Sequence, residues 1–323
     1  MTANELAQLT SMLGAASDGV VTSPVVNVDR RPLSAPSTHR VEALELTRED
    51  GTSLALVLKH LGRKGMHPVG LATRPDFLAD SWREADVYRE LLAHDRLGTA
   101  KCYGTLHDSG EDQSLVLERI VGLDLTEVPL ATWAEAAGWL GRFHAHVAGR
   151  TGVLPGRLLR YEGPEWERWM RRACASPADD DRDTLDWLSS RHAIAVKCLS
   201  AVPTTIVHGD FHASNVLVVE GDDGLRICPV DWELAGVGPG LIDLAALTAG
   251  DWTDEQRETM VAAYLEACGD LYGDDANFAR QLTACRLLQA VQWLGWAPGW
   301  RPPPEHRQDW LAEAVRCAEE LER

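Results

Sequence analysis

Residues 206–233 read IVHGDFHASNVLVVEGDDGLRICPVDWE. Two apolar runs, Val216–Val219 and Leu225–Val230, flank the acidic stretch EGDDG. Apolar, β-branched runs on either side of an Asp/Gly turn predict an antiparallel hairpin. Positions symmetric about such a turn face each other. With Asp223 as the centre, Asn215 and Asp231 meet at the open end. Asp210 enters the same end on the polar loop His208–Ser214. Pro229, inside the second run, predicts an edge strand or a bulge, because proline offers a sheet no N–H. Cys228 in the same run reads as packing rather than chemistry.

One amide and two carboxylates make an oxygen-rich set. Oxygen ligands suit Mg²⁺, which takes few protein groups and keeps positions for phosphate and water. A free carboxylate beside the metal can accept or orient the proton of a substrate hydroxyl. Magnesium, a positioned carboxylate and a distant lysine are the equipment of phosphoryl transfer. A zinc site is the rival, since His208 and His212 stand four apart and HxxxH can hold zinc on a helix. Gly209 and the strand-like lead-in Ile206-Val207 argue against that helix.

Upstream, Arg40–Thr47 and Ser53–Lys59 read as strands around the turn Asp50-Gly51, so Lys59 ends an apolar strand. A loop with Gly62, Gly65, Pro68, Gly70 and Pro75 follows. The spacing of Trp82, Ala85, Tyr88, Leu91 and Leu92 predicts a helix over Ala79–His94, with Glu84 and Glu90 as candidate partners for a basic group. TAKCYGTLHD and SLVLERI read as two more strands, and residues 1–36 as a short helix followed by a loop. Residues 1–120 are therefore expected to form a small mixed lobe. After Val121-Gly122 the pattern turns helical over Thr132–Ala148, Glu165–Ala173, Asp183–Leu199 and most of 253–323. Residues 121–323 are expected to form a larger helical lobe whose main β feature is the hairpin. The fold class is α+β with two lobes.

The chain has 323 residues, which fits two lobes. Its net charge of −18 argues against nucleic-acid binding. Such acidity permits a cationic substrate or merely aids solubility. Seven scattered cysteines without a CxxC suggest reduced thiols and a cytoplasmic location. The start MTANELAQLTSMLG has no signal-peptide pattern, and no apolar run reaches the ~18 residues of a membrane span.

HGDFHASNVLV, followed by VDWE and then GPGLIDLA, resembles the aminoglycoside phosphotransferase and choline kinase superfamily with its protein-kinase-like fold. The likeness extends to Lys59, Glu84 and the hinge-like LVLERIVG. It implies ATP, with GTP also open, and Mg²⁺ as cofactors. Asp210 would be the catalytic base, and Asn215 and Asp231 would hold Mg²⁺. Lys59 would bind the α- and β-phosphates, with Glu84 positioning it. Backbone from Glu118 to Ile120 would meet the adenine. His208 would brace the loop, His212 would brace it or touch phosphate, and Asp243 would be a structural brace. Two departures stand out. There is no GxGxxG, so Ser37, Thr38 and His39 of SAPSTHR are left as phosphate donors, and Pro239 replaces the Asp of the family's GDPxxDLA.

The acceptor is expected in the helical lobe. The acidic run Ser176–Asp183 would attract amines or simply be solvated. Trp293, Trp296 and Trp300 would hold a cation or pack in the core. The first expectation is ATP/Mg-dependent phosphorylation of a hydroxyl on an aminoglycoside-like antibiotic or other cationic natural product. Choline, homoserine and small sugars are alternatives. A non-catalytic nucleotide-binding module is an alternative of another class, although this chain keeps the base and both metal ligands. A monomer or homodimer is expected, with no nucleic-acid or membrane partner.

Overall fold

The computed structural model describes residues 3–15, 23–33, 38–93, 97–107, 113–151, 156–175, 181–221, 224–272, 277–296 and 308–323. They fall into two compact units, Met1–Val121 and Gly122–Arg323.

The first unit opens with helix α1 (Ala3–Ala15), then strands β1 (Val25–Pro32), β2 (Val41–Arg48) and β3 (Ser53–Leu61). Helices α2 (Pro68–Thr73) and α3 (Arg83–Asp86) and strands β4 (Cys102–His107) and β5 (Gln113–Glu118) complete it. The strands form one antiparallel sheet in the order β1-β2-β3-β5-β4. Leu44 and Leu46 of β2, Leu56 and Leu58 of β3, Leu106 and Val116 form a core closed by Leu9 and Leu13 of α1. Alternation puts these leucines on one face of the sheet, and burying that face is what holds helix to sheet.

Three local expectations change. Residues 25–32 form a strand rather than loop. VVNVDRRP carries little apolar alternation because an edge strand has only one neighbour and much of this one is exposed. The Ala79–His94 helix begins at Arg83, because the Asp80 carboxylate accepts from the backbone N–H groups of Trp82 (2.8 Å) and Arg83 (3.3 Å) and holds the chain in a turn before it. Val87–Leu92 then continues α3 as a wider π-helical segment, and His94 lies outside the described residues. The Gly/Pro segment after β3 contains α2, with Pro68 at its first position, where a missing N–H costs nothing.

The second unit contains β6 (Leu123–Asp124), α4 (Leu130–Val147), β7 (Leu159–Arg160), α5 (Gly163–Ala175), α6 (Arg182–Cys198) and β8 (Thr204–Val207). It continues with β9 (Val216–Gly221), β10 (Gly224–Pro229), β11 (Gly236–Pro239), α7 (Leu241–Leu247), α8 (Asp254–Cys268), α9 (Phe278–Trp296) and α10 (Trp310–Glu322). Helix α9 is the centre, with Leu282, Leu287, Leu288 and Val291 buried against its neighbours α5, α6, α7 and α10. The hairpin β9–β10 joins β6 in a three-stranded sheet with β10 at the edge, where Pro229 is tolerated.

The hairpin is not the unit's only β structure, because β7-β11-β8 form a second small sheet. Its middle strand, GVGP, has no alternation to read. Gly236 and Gly238 are there because a Cβ on either would lie 2.5 and 2.6 Å, respectively, from the Tyr161 side chain. No helix among the described residues is long and apolar enough to cross a membrane.

Candidate active site

Strand β8 carries Thr205, Ile206 and Val207 through the core and delivers His208 to its end. There the fully buried Asp243 of α7 gathers the chain. Its Oδ2 accepts from the His208 N–H at 2.7 Å and its Oδ1 from the Gly209 N–H at 2.8 Å. His144 of α4 lies 3.2 Å from the same Oδ2 through Nε2, and its Nδ1 meets the Tyr264 hydroxyl at 2.9 Å. Tyr264 in turn meets the Tyr272 hydroxyl at 3.0 Å. This buried string ties α4, α7 and α8 to the loop. His208 Nε2 donates to the Val230 carbonyl (2.9 Å), and its Nδ1 accepts from the Asp210 N–H (3.3 Å), so one neutral tautomer satisfies both contacts. His144 is a fully buried histidine of α4, and nothing in the sequence near it names its partners.

Gly209 has φ 81°, a region that L side chains rarely adopt. A Cβ there would lie 2.2 Å from both the Leu234 carbonyl oxygen and the Tyr161 hydroxyl, which themselves are hydrogen-bonded at 2.7 Å. Gly209→Ala is therefore expected to cost at least about 2 kcal/mol in urea unfolding. It should also displace the loop that carries Asp210.

Beyond Gly209 the chain makes a compact turn. The Asp210 carbonyl accepts from the His212 N–H (2.8 Å), and the His212 carbonyl from the Asn215 N–H (2.9 Å). The Asn215 Nδ2 donates to the Asp210 carbonyl at 3.0 Å and to its Oδ2 at 2.9 Å, which leaves Oδ1 of the amide as an acceptor. His212 is buried, with Nε2 3.5 Å from Asp210 Oδ1 and its ring edge-on to Trp293.

The hairpin register differs by one residue from the symmetric expectation. Gly221 pairs with Gly224 and Val216 with Pro229, one residue off the pairing that symmetry about Asp223 gives. Asn215 therefore faces Val230, whose N–H donates to the Asn215 carbonyl at 2.8 Å, and not Asp231. Asp231 reaches the site another way. It leaves the strand in the left-handed region (φ 65°, ψ 61°), the one non-glycine residue with positive φ among those described. Such a conformation is uncommon outside Gly, Asn and Asp and often marks a functional position.

Burial, followed by the negative charges of Asp231 and Glu233, pushes the Asp210 carboxyl up to about 8. Glu233, the last residue of VDWE, is thus part of the local field and went unassigned in the sequence. Asn215 Oδ1 and the Asp231 carboxylate are hard oxygen donors, and the charges of Asp231 and Glu233 act on a carboxyl that is hard to ionise. A divalent cation would offset that repulsion, so the set fits Mg²⁺.

In the first unit, Lys59 and Glu84 come together. Both are buried, with Nζ 2.7 Å from Oε2. Losing one partner of a buried pair costs about 3–5 kcal/mol, whereas replacing both by apolar groups is often neutral. Lys59→Met and Glu84→Met are each expected to lower unfolding stability by that order, and the double variant to recover most of it without recovering activity. Urea unfolding with a parallel activity assay checks this.

The other expected nucleotide contacts are more scattered. Thr38 is described, and its carbonyl accepts from the His67 N–H (3.0 Å), whereas Ser37 lies outside the described residues. Glu118 ends β5 with Oε2 accepting from the Lys101 N–H (3.0 Å), and Ile120 follows, half-buried. Glu90 is exposed and sits 3.6 Å from Arg89. In the second unit, the half-buried Trp293 stacks on Trp310 and Trp296 on Trp169. Trp300 and Ser176–Asp180 of the acidic run lie outside the described residues.

The family model described as "Phosphotransferase enzyme family" matches residues 43–282. No protein of curated function matches by sequence. Among solved structures, a microcompartment-associated aminopropanol kinase is similar with TM-score 0.61 and 16% identity, over 96% of this chain and 97% of that one. An amicoumacin kinase in complex with AMP-PNP and Ca²⁺ gives 0.57 and 16%, over 99% and 96%. A spectinomycin phosphotransferase in complex with ADP and spectinomycin gives 0.56 and 13%, over 98% of both. At these identities the structures speak to the fold, which is the two-lobed kinase-like one. The family match spans most of the chain, and the chain belongs to the phosphotransferase enzyme family.

Proposed function

We propose that this phosphotransferase moves the γ-phosphate of ATP to a hydroxyl of a small molecule, with Mg²⁺ as cofactor. The observation that carries the reading is the loop end of the second unit. There a half-buried carboxylate, Asp210, is hydrogen-bonded to Asn215 and electrostatically coupled to Asp231 and Glu233. Asp210 orients the acceptor hydroxyl and takes its proton. Asn215 and Asp231 would hold Mg²⁺, which when bound would offset negative charge on the transferring phosphate. Its positive charge also favours the ionised, basic form of Asp210. In the first unit, the Lys59–Glu84 pair presents an ammonium for phosphate, with Glu84 fixing where it points. Glu118, the last residue of β5, and the residues through Ile120 serve as the adenine hinge. Thr38 and Ser37 contribute to phosphate binding, and His212 steadies Asp210.

The nucleotide reading gains support from similar proteins captured with AMP-PNP or ADP. The test is transfer from ATP/Mg²⁺ to a panel of acceptors, read by product mass. The panel comprises aminoglycosides, other hydroxylated antibiotics, choline, homoserine, small sugars and simple hydroxy acids. A product heavier by one phosphate supports the reading. Nucleotide binding without transfer to any acceptor would favour the non-catalytic module.

A further inference from the structure

The second unit holds a cavity of about 280 Å³ walled by Trp133, Trp252, Trp310 and His212. It adjoins the proposed base through His212, whose Nε2 lies 3.5 Å from Asp210 Oδ1. Its volume falls at or below the ~300–1,000 Å³ of pockets for drug-sized ligands, so a compact acceptor fits better than a multi-ring antibiotic. A water-sized annex of about 20 Å³ shares Gly250, Gln308 and Trp310 with this cavity and adds Arg257, Arg286, Gln289 and Glu313. Gln289 Nε2 lies 3.5 Å from the same His212 Nε2, so two contacts through one atom connect the annex to Asp210.

The two arginines differ in what occupies them. Arg257 donates to the carbonyls of Trp252 (2.7 Å), Gly250 (2.7 Å) and Thr248 (3.4 Å), which clamps the loop forming the cavity rim. Arg286, on α9, makes no hydrogen bond or ion pair with another described residue. Burial and the neighbouring charges of Arg257 and Arg316 weigh against its guanidinium, and Glu313 favours it. Glu313 is itself held by Arg316 at 2.7 and 3.1 Å. Two arginines thus face one carboxylate, already held by Arg316, which leaves the annex locally cationic inside a chain of net charge −18. A crowded, half-buried guanidinium with unused donors favours a planar two-oxygen anion.

We propose that the cavity takes a compact hydroxycarboxylate, with its carboxylate on Arg286 and its hydroxyl toward Asp210. This rests on the phosphotransferase reading. The alcohol oxygen forms the new bond to the γ-phosphorus, the bond from that phosphorus to the bridging oxygen breaks, and ADP leaves. The hydroxyl proton passes to Asp210 and then to solvent, leaving a phosphate monoester. The carboxylate end is unchanged.

The test compares matched acceptors. L-homoserine and 4-hydroxybutyrate are set against their amides and against 3-aminopropan-1-ol and choline, with ATP/Mg²⁺, by product mass and by thermal shift. The acids are expected to be phosphorylated with kcat/KM about 10- to 100-fold above their amides. Arg286→Gln should collapse that ratio, and Arg286→Lys should restore part of it. Amides or amino alcohols used as well as the acids would overturn the proposal while leaving the phosphotransferase reading intact. So would a ratio unchanged in Arg286→Gln, which would make Arg286 a structural partner of Glu313. If no acceptor turns over, the phosphotransferase reading fails separately, and the acids must still raise the melting temperature of the wild type more than their amides do. Without that shift the anion subsite is overturned too.

Discussion

Asp231→Asn should retain the fold yet lower Mg²⁺-dependent nucleotide affinity by about 10²-fold or more, and lose transfer with it. Removing even an outer-shell partner of a metal ligand typically costs 10- to 100-fold in metal affinity, so a direct ligand sets that as a lower bound. Asparagine is a fair control because it also tolerates the left-handed backbone that Asp231 adopts. What changes is charge. One negative neighbour of Asp210 disappears, so repulsion within the site falls as metal affinity falls. Calorimetry with the nucleotide, with and without chelator, separates these effects. An affinity difference between Mg²⁺ and chelator as large as in wild type would remove Asp231 from the metal site.

Asp210→Asn should leave Mg-nucleotide binding near wild type and reduce transfer by about 10²- to 10⁴-fold, the usual contribution of a positioned base. It has a second signature in the metal-free protein. The Asp210 carboxyl sits at about 8 in the folded chain, against an ordinary 3.8. Between those values the folded state holds a proton that the unfolded state has released, so stability contributed by this group falls as pH rises. With chelator present, the melting-temperature advantage of Asp210→Asn should open as pH climbs from 3.8, grow until about 8, and then level off. A constant gap across that range would mean that the Asp210 carboxyl is not held above its ordinary value.

Such a gain in stability on losing a functional group is the mark of a site held together against its own charge. The Lys59–Glu84 pair shows a milder form. Two charges are buried together in a position where apolar residues would serve the fold as well.

The hairpin and the lobes around it were legible because their signals are local. Apolar runs, an Asp/Gly turn and the HGDFHASN loop sit within 28 residues of one another. The register slipped by one because EGDDG does not say whether the turn pivots on a residue or between two, and in a strand that choice moves every partner. Strand β1 and the GVGP strand β11 went unread for opposite reasons. One is an exposed edge with few apolar residues, and the other is a buried strand whose glycines make room for Tyr161.

The brace of His144, Asp243, Tyr264 and Tyr272 and the cavity of Trp133, Trp252 and Trp310 gather residues far apart in the chain, which no window can see. Net charge has the same limit. An overall −18 left cationic acceptors open, and it could not show that the fold groups Arg257 and Arg286 around one annex.

The most direct measurement is the rate of phosphate transfer by wild type and Asp210→Asn, side by side, at saturating ATP and Mg²⁺, with bound nucleotide quantified in the same samples. The expected result is a phosphorylated product from wild type only, with both proteins carrying nucleotide. Equal rates from the two would contradict the assignment of Asp210 as the base, and with it the site built around it.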